Sequence, residues 1–125
     1  MINKKILVLE DERALKIAIN HSLIKSGFDI VEASKVDEAL KLLEENGSVD
    51  AVWLDHYLLG GDNGIDFLGK LKENDQWKNI PVFVVTNLVS DDKITTYEVL
   101  GIESYFVKSD NSLTDIIASI KNKIL

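Results

Sequence analysis

Three carboxylates, one hydroxyl and one ammonium define the chemistry this sequence offers. Glu10 and Asp11 follow the apolar run Ile6-Leu7-Val8-Leu9, and Asp55 follows Val52-Trp53-Leu54. Thr86 closes Val82-Phe83-Val84-Val85, and Lys108 follows Tyr105-Phe106-Val107. Each has an ordinary explanation when taken alone. Acidic residues after a strand often cap the next helix, and most lysines are solvated. Together, four strand ends each supply a group that one reaction needs. Clustered carboxylates repel one another unless a cation neutralises them. An all-oxygen ligand set favours Mg²⁺, which typically takes one or two carboxylates, several waters and a phosphate. An aspartate can attack a phosphoryl donor and become an acyl phosphate. Mg²⁺ and a lysine would stabilise the dispersed negative charge of the transferring group, and a threonine hydroxyl would donate to one of its oxygens.

For these groups to meet, the runs that precede them must lie side by side. Short β-branched runs alternate with longer helical segments. Strands are expected over residues 5–9, 28–32, 51–54, 81–85 and 105–107. Val-Trp-Leu and Val-Phe-Val-Val are apolar on both faces, as buried parallel strands should be. The segment 14–25 carries Leu15, Ile19 and Leu23 at helical spacing, with Gly27 as a C-terminal stop. Ser34 and Asp37 have the spacing of a capping box for the next helix, which turns Val36, Ala39, Leu40 and Leu43 inward. Asn63 is expected to cap a helix carrying Ile65, Leu68 and Leu71. Ser112 and Asp115 open the last helix, with Leu113, Ile116, Ile117, Ile120 and Ile124 as its apolar stripe. The segment 91–100 is the weakest helix, because Thr95 and Thr96 are adjacent and its periodicity is poor. Five β/α pairs imply an α/β fold: a doubly wound, five-stranded parallel sheet. Ligands in such sheets bind beyond the C-terminal strand ends, where the strand order reverses.

Composition narrows the class. A chain of 125 residues, 46% hydrophobic and 28% charged, suits a single globular domain spanning 1–125. A formal charge of −7 opposes direct binding of DNA or RNA backbones. The absence of cysteine removes disulfides, zinc–thiolate sites and thiol nucleophiles, and fits a cytoplasmic location. No apolar run approaches the roughly 20 residues of a membrane span. The N-terminal Met1-Ile2-Asn3-Lys4-Lys5 precedes an apolar stretch that stops at Glu10-Asp11-Glu12, which makes it a strand and not a signal peptide.

The segments Ile6-Leu-Val-Leu-Glu-Asp-Glu12, Asp50-Ala-Val-Trp-Leu-Asp55, Ile80-Pro-Val-Phe-Val-Val-Thr86 and Ser104-Tyr-Phe-Val-Lys108 resemble the four signature segments of response-regulator receiver domains. The resemblance covers essentially the whole chain, in order and with similar spacing. It implies a flavodoxin-like sheet in the order 2-1-3-4-5. It implies that Asp55 is the phosphoacceptor, and that Glu10, Asp11, Asp55 and the Tyr57 backbone carbonyl hold Mg²⁺. Thr86 would be the switch hydroxyl, Lys108 the phosphoryl-binding lysine, and Tyr105 the switch aromatic that reorients when Thr86 moves. A histidine kinase or phosphotransfer protein would donate the phosphoryl group. A downstream protein target would then bind the face built by the last two helices and the fifth strand.

The chain departs from the family pattern in four places. Leu59 stands where many receivers have proline, and the Gly60-Gly61-Asp62-Asn63-Gly64 loop looks one residue longer. Asn87 follows the switch threonine where a small residue is usual, and Lys108-Ser109 replaces Lys-Pro. A cis bond before a non-proline residue costs about 2.5–4 kcal/mol, so Lys108–Ser109 is expected trans, with a shifted loop and Lys108 still reaching the site. His56 follows the phosphoacceptor; alternation along a strand would turn it to the opposite face, which speaks against a metal ligand or a phosphohistidine. His21 lies on the polar side of the first helix and should be solvated. Two other readings compete. A Mg²⁺-dependent phosphohydrolase with an aspartyl nucleophile would need a second aspartate where Tyr57 stands, and a degenerate adaptor would lack site residues that this chain has. No output domain is expected within the chain, which stops after its last helix.

Overall fold

The structure is a computed structural model and describes residues 3–125. Met1 and Ile2, the start of the lysine-bearing N-terminal stretch, lie outside the described residues. The elements alternate as expected. They are β1 (Lys5–Leu9), α1 (Arg13–Lys25), β2 (Asp29–Ala33), α2 (Val36–Asn46), β3 (Ala51–Leu54), α3 (Gly64–Glu73), β4 (Val82–Thr86), α4 (Asp91–Leu100), β5 (Ser104–Val107) and α5 (Leu113–Ile124). All pairings are parallel, in the order β2-β1-β3-β4-β5. This is the expected flavodoxin-like topology.

Alternation along each central strand splits the core in two. Leu7, Leu9, Val52, Leu54, Val82 and Val84 face α2, α3 and α4. Ile6, Val8, Ala51, Trp53, Phe83 and Val85 face α1 and α5, which contribute Ile19, Leu23, Ile116, Ile117 and Ile120. Both faces of β1, β3 and β4 are therefore covered, and their carboxyl ends open onto one edge.

The boundaries differ from expectation where tertiary contacts claim a residue. Residue 28 was expected to open the second strand. Instead the Phe28 amide donates to the Leu23 carbonyl (3.1 Å) and the Gly27 amide to Ile24 (3.0 Å), a Schellman closure of α1 with Gly27 at φ +97°. The β1 register then runs from Lys5↔Asp29 to Leu9↔Ala33. Pro81 has no N–H, so only its carbonyl joins the sheet, accepting from Val52 (3.0 Å), and β4 extends instead through Thr86, paired with Val107.

The expected Ser34–Asp37 capping box does not form. Lys35 is the N-cap residue of α2 and makes no side-chain cap. The Ser34 carbonyl accepts from Leu59 (3.0 Å), and Lys35 pairs with Leu59 in an isolated parallel bridge. That pairing holds the two residues extended, and Glu38 supplies the reach-back contact by accepting from the Ser34 amide (2.7 Å). Asn63 does cap α3, reciprocally with Asp66. Ser112 caps α5 by accepting from the Asp115 amide (3.1 Å). The weak α4 forms as expected; Ser90 caps it, and Asp91 and Asp92 lie in its first turn, where carboxylates favour the helix dipole. His21 is exposed, as expected.

Candidate functional site

Each strand end delivers its polar residue to the same edge. Asp55 is the first residue past β3 and its amide donates to the Leu9 carbonyl at the end of β1 (2.9 Å). Glu10 is held likewise, its amide donating to Ala33 at the end of β2 (3.1 Å). One carboxylate oxygen from each of Glu10, Asp11 and Asp55 lies within 4.8 Å of the others. Glu10 and Asp55 are buried, and Asp11 is half-exposed.

The hydroxyl and the ammonium converge on the same carboxylate. Thr86 Oγ1 donates to Asp55 Oδ1 at 2.5 Å, and Lys108 Nζ donates to Asp55 Oδ2 at 3.0 Å. The Tyr57 amide also donates to Asp55 Oδ1 (3.3 Å). Lys108 Nζ stands 2.8 Å from Glu10 Oε1, an ion pair by distance. The one ammonium thus serves two buried carboxylates. Lys108 reaches the site from a 3₁₀ turn over Lys108–Asp110, and no cis peptide bond occurs among the described residues, so Lys108–Ser109 is trans as expected.

The electrostatics follow from this crowding. Burial pushes the Glu10 carboxyl up to about 7, Lys108 opposes the shift, and the Asp55 charge adds to it. Burial by itself would lower the Lys108 pKa, but the contacts with Glu10 and Asp55 outweigh it and the pKa is raised. A cluster of three carboxylates around one ammonium, with one buried carboxyl driven toward its neutral form, is short of positive charge. A small divalent cation supplies that charge, and the all-oxygen donor set selects a hard ion such as Mg²⁺. The residues present thus fit the expected metal.

Tyr57, expected to act through its backbone carbonyl, and Tyr105 are the remaining site residues. The Tyr57 side chain is 46% exposed, and its hydroxyl donates to the Leu88 carbonyl (3.2 Å), linking the loops after β3 and β4. Tyr105 pairs with Val84 in the β4–β5 register, and Thr86 pairs with Val107. The Tyr105 side chain packs against the α2–α4 side of the core, and burial raises its pKa. Its hydroxyl is shut off from solvent, and the Val89 backbone opposes the upward shift.

One contact was not visible in the sequence. His56 is buried, and its Nδ1 lies 2.6 Å from the Tyr97 hydroxyl on α4. It is shielded from solvent and is not one of the residues of the Glu10–Asp11–Asp55 cluster. Nothing in the sequence links two residues 41 positions apart on different elements. The glycine-rich loop carries a partial signal: Gly60 and Gly61 adopt φ of +84° and +92°, a region open to glycine at little cost.

The model of the response regulator receiver domain matches residues 6–121 of this sequence. The chain belongs to the response-regulator receiver family. Phosphate regulon transcriptional regulatory protein PhoB of Escherichia coli (strain K12) is 33% identical over 119 residues, which are 94% of this chain and 50% of that protein. Chemotaxis protein CheY1 of Helicobacter pylori (strain ATCC 700392 / 26695) is 27% identical over 105 residues, 83% of this chain and 84% of that one. The crystal structure of the phosphorylated cyanobacterial phytochrome response regulator RcpA superposes with a TM-score of 0.82 at 25% identity, covering 98% of this receiver and 91% of that chain. The receiver spans about half the length of the first curated relatives it matches, 46% and 50%. Receiver domains are generally signalling modules, not enzymes, and interact with kinases and downstream targets. Among the described residues of this receiver, no helix is long and apolar enough to cross a membrane.

Proposed function

We propose that this receiver is a phosphorylation-controlled interaction module of a cytoplasmic two-component system, with Asp55 as its phosphoacceptor. The observation that carries the reading is the convergence of Thr86 and Lys108 on the two oxygens of Asp55, beside Glu10 and Asp11. A carboxylate oxygen of Asp55 attacks the phosphorus of a phosphohistidine on a kinase or phosphotransfer protein. The P–N bond breaks, and the departing imidazole takes up a proton. Lys108 stands where it can follow the charge from the carboxylate to a phosphoryl oxygen, and Thr86 can transfer its hydrogen bond from Asp55 to another. Glu10, Asp11, Asp55 and the Tyr57 carbonyl would hold Mg²⁺, whose chemistry there is to neutralise phosphoryl and carboxylate charge. RcpA, with the same fold, is known in a phosphorylated form.

The change at Thr86 and Tyr105 would be read on the face of α4, β5 and α5 by a protein target, without direct contact to nucleic acid. The test is intact mass after treatment with acetyl phosphate and Mg²⁺. One phosphoryl group should be added, and none in Asp55→Asn or without Mg²⁺. Undiminished labelling of Asp55→Asn would overturn the assignment.

A further inference from the structure

Helix α4 packs on α3 through few apolar side chains, with Leu100 only partly buried against the core. Of its residues, Tyr97 alone is buried. Val99 is 81% exposed, and Lys93, Thr95, Thr96 and Glu98 all face solvent. The Tyr97 ring enters the core between α3 and the sheet. Its hydroxyl meets His56 Nδ1 at 2.6 Å. At that distance one of the two groups donates and the other accepts, the roles set by the imidazole tautomer. Gly64 makes the room for this contact: a Cβ there would overlap the Tyr97 hydroxyl and lie 2.8 Å from the Asp55 carbonyl oxygen.

His56 is attached at its other end to the reacting groups. It directly follows Asp55, and its amide donates to Thr86 Oγ1 at 3.4 Å. That hydroxyl is the one that donates to Asp55 Oδ1. Any displacement of Thr86 therefore changes the partner of the His56 amide, while the His56 side chain grips the one buried residue of α4. From Tyr97 the aromatic contact continues to Tyr105, with ring centroids 6.4 Å apart.

We propose that His56 and Tyr97 form a second route from Thr86 at the phosphorylation site to α4, alongside the Thr86–Tyr105 pair. His56 is a positioning residue on this route: its backbone senses Thr86 and its side chain sets the placement of α4. The proposal rests on Asp55 being the phosphoacceptor. Two physical points give the contact its leverage. A helix with one buried side chain sits at the low-stability end of the fold, so small biases move it. A buried hydroxyl or imidazole that loses its partner also carries the full penalty of desolvation.

The experiment is amide hydrogen exchange and chemical-shift mapping of α4 by NMR, before and after treatment with acetyl phosphate and Mg²⁺. It compares wild type with Tyr97→Phe, which removes only the hydroxyl, with His56→Leu, and with the double variant. His56→Asn places an amide atom near the position of Nδ1 and serves as the rescue; it and Tyr97→Phe keep the test decisive if His56→Leu does not fold. Before phosphorylation, Tyr97→Phe and His56→Leu should each speed α4 exchange roughly tenfold. The double variant should be no faster than the faster single, and His56→Asn should recover most of the protection. At equal phosphorylated fraction, the phosphorylation-induced shifts of α4 amides should fall below half of wild type in Tyr97→Phe. Wild-type exchange in Tyr97→Phe, additive effects in the double variant, or a full α4 response in phosphorylated Tyr97→Phe would each overturn the proposal. If wild type takes no phosphoryl group, the phosphoacceptor assignment fails separately, and the exchange series still decides whether His56 anchors α4.

Discussion

Tyr57 donates its hydroxyl to the Leu88 carbonyl at 3.2 Å, and the bond ties the loop that follows Asp55 to the loop that follows Thr86. These two side chains occupy the positions, two past each site residue, that flank the approach of a water to a phosphorylated aspartate in receivers. Leu88 has no hydrogen-bonding group in its side chain, and the proton of the Tyr57 hydroxyl is already committed. Leu88 cannot orient a water for attack in line with the Asp55–phosphorus bond, and Tyr57 retains only an acceptor lone pair on a bulky side chain tied to the neighbouring loop. The phosphorylated form should therefore be long-lived for a receiver. The double variant Tyr57→Asn/Leu88→Glu should lose its phosphoryl group roughly tenfold faster in Mg²⁺, the scale expected when a polar side chain positions the water. An unchanged lifetime, followed by intact mass, would show that these two positions do not control it.

Metal binding should depend on pH through Glu10. Its carboxyl is pushed up to about 7, above the usual 4.5, so near neutrality a proton competes with the cation for it. The affinity for Mg²⁺ should rise as pH is raised from 6 to 8 and level off above that window. The stability of the metal-free protein should move the other way. A raised pKa means the folded state holds this proton more tightly, so the contribution is complete below about 4.5 and is lost as pH rises through about 7. Calorimetric titration with Mg²⁺ at several pH values reads the first effect. A pH-independent affinity would contradict the account of Glu10.

Asp11 and Glu12 are neighbours with different tasks. Asp11 belongs to the carboxylate cluster, whereas Glu12 is the exposed N-cap residue of α1 and donates its backbone amide to Glu10 Oε2 (3.1 Å). Loss of even an outer partner of a metal ligand costs about 10–100-fold in affinity, so Asp11→Ala should weaken Mg²⁺ binding by at least about tenfold. Glu12→Ala keeps the backbone contact and should leave binding nearly unchanged. Equal losses in the two variants would count against Asp11 as a ligand.

Two glycines in α3 should respond with opposite sign to alanine. At Gly64 a Cβ would lie 2.8 Å from the Asp55 carbonyl oxygen and 3.1 Å from His56 Cα, so Gly64→Ala should destabilise by about 1–3 kcal/mol through overpacking. At Gly69 a Cβ meets nothing within 4 Å, so Gly69→Ala should stabilise by about 0.5–1 kcal/mol through helix propensity. Thermal unfolding separates the two. A neutral Gly64→Ala would mean that the junction of α3, α4 and β3 is looser than the structure shows.

The sequence alone determined the order of elements, the class of sheet and the five polar residues at its edge. The reason is that a doubly wound sheet buries both faces of its central strands. Their apolar runs are thus plain, and each ends at the first polar residue: Glu10 after Leu9, Asp55 after Leu54 and Thr86 after Val85; the half-buried edge strand β5 ends likewise, at Lys108 after Val107. Parallel topology then brings those four ends together whatever the intervening segments contain.

Tertiary structure decided what depends on which distant residue answers a given group. Ser34 has the sequence of a helix cap, but its backbone is taken by Leu59, and the cap passes to Glu38. Phe28 has the sequence of a strand opener, but its amide closes α1. His56 would point away from the site if the strand's alternation continued, but the chain leaves the sheet at Asp55, and the imidazole turns inward to Tyr97. A side chain's partner across the fold is set by packing in three dimensions, and no local spacing encodes it.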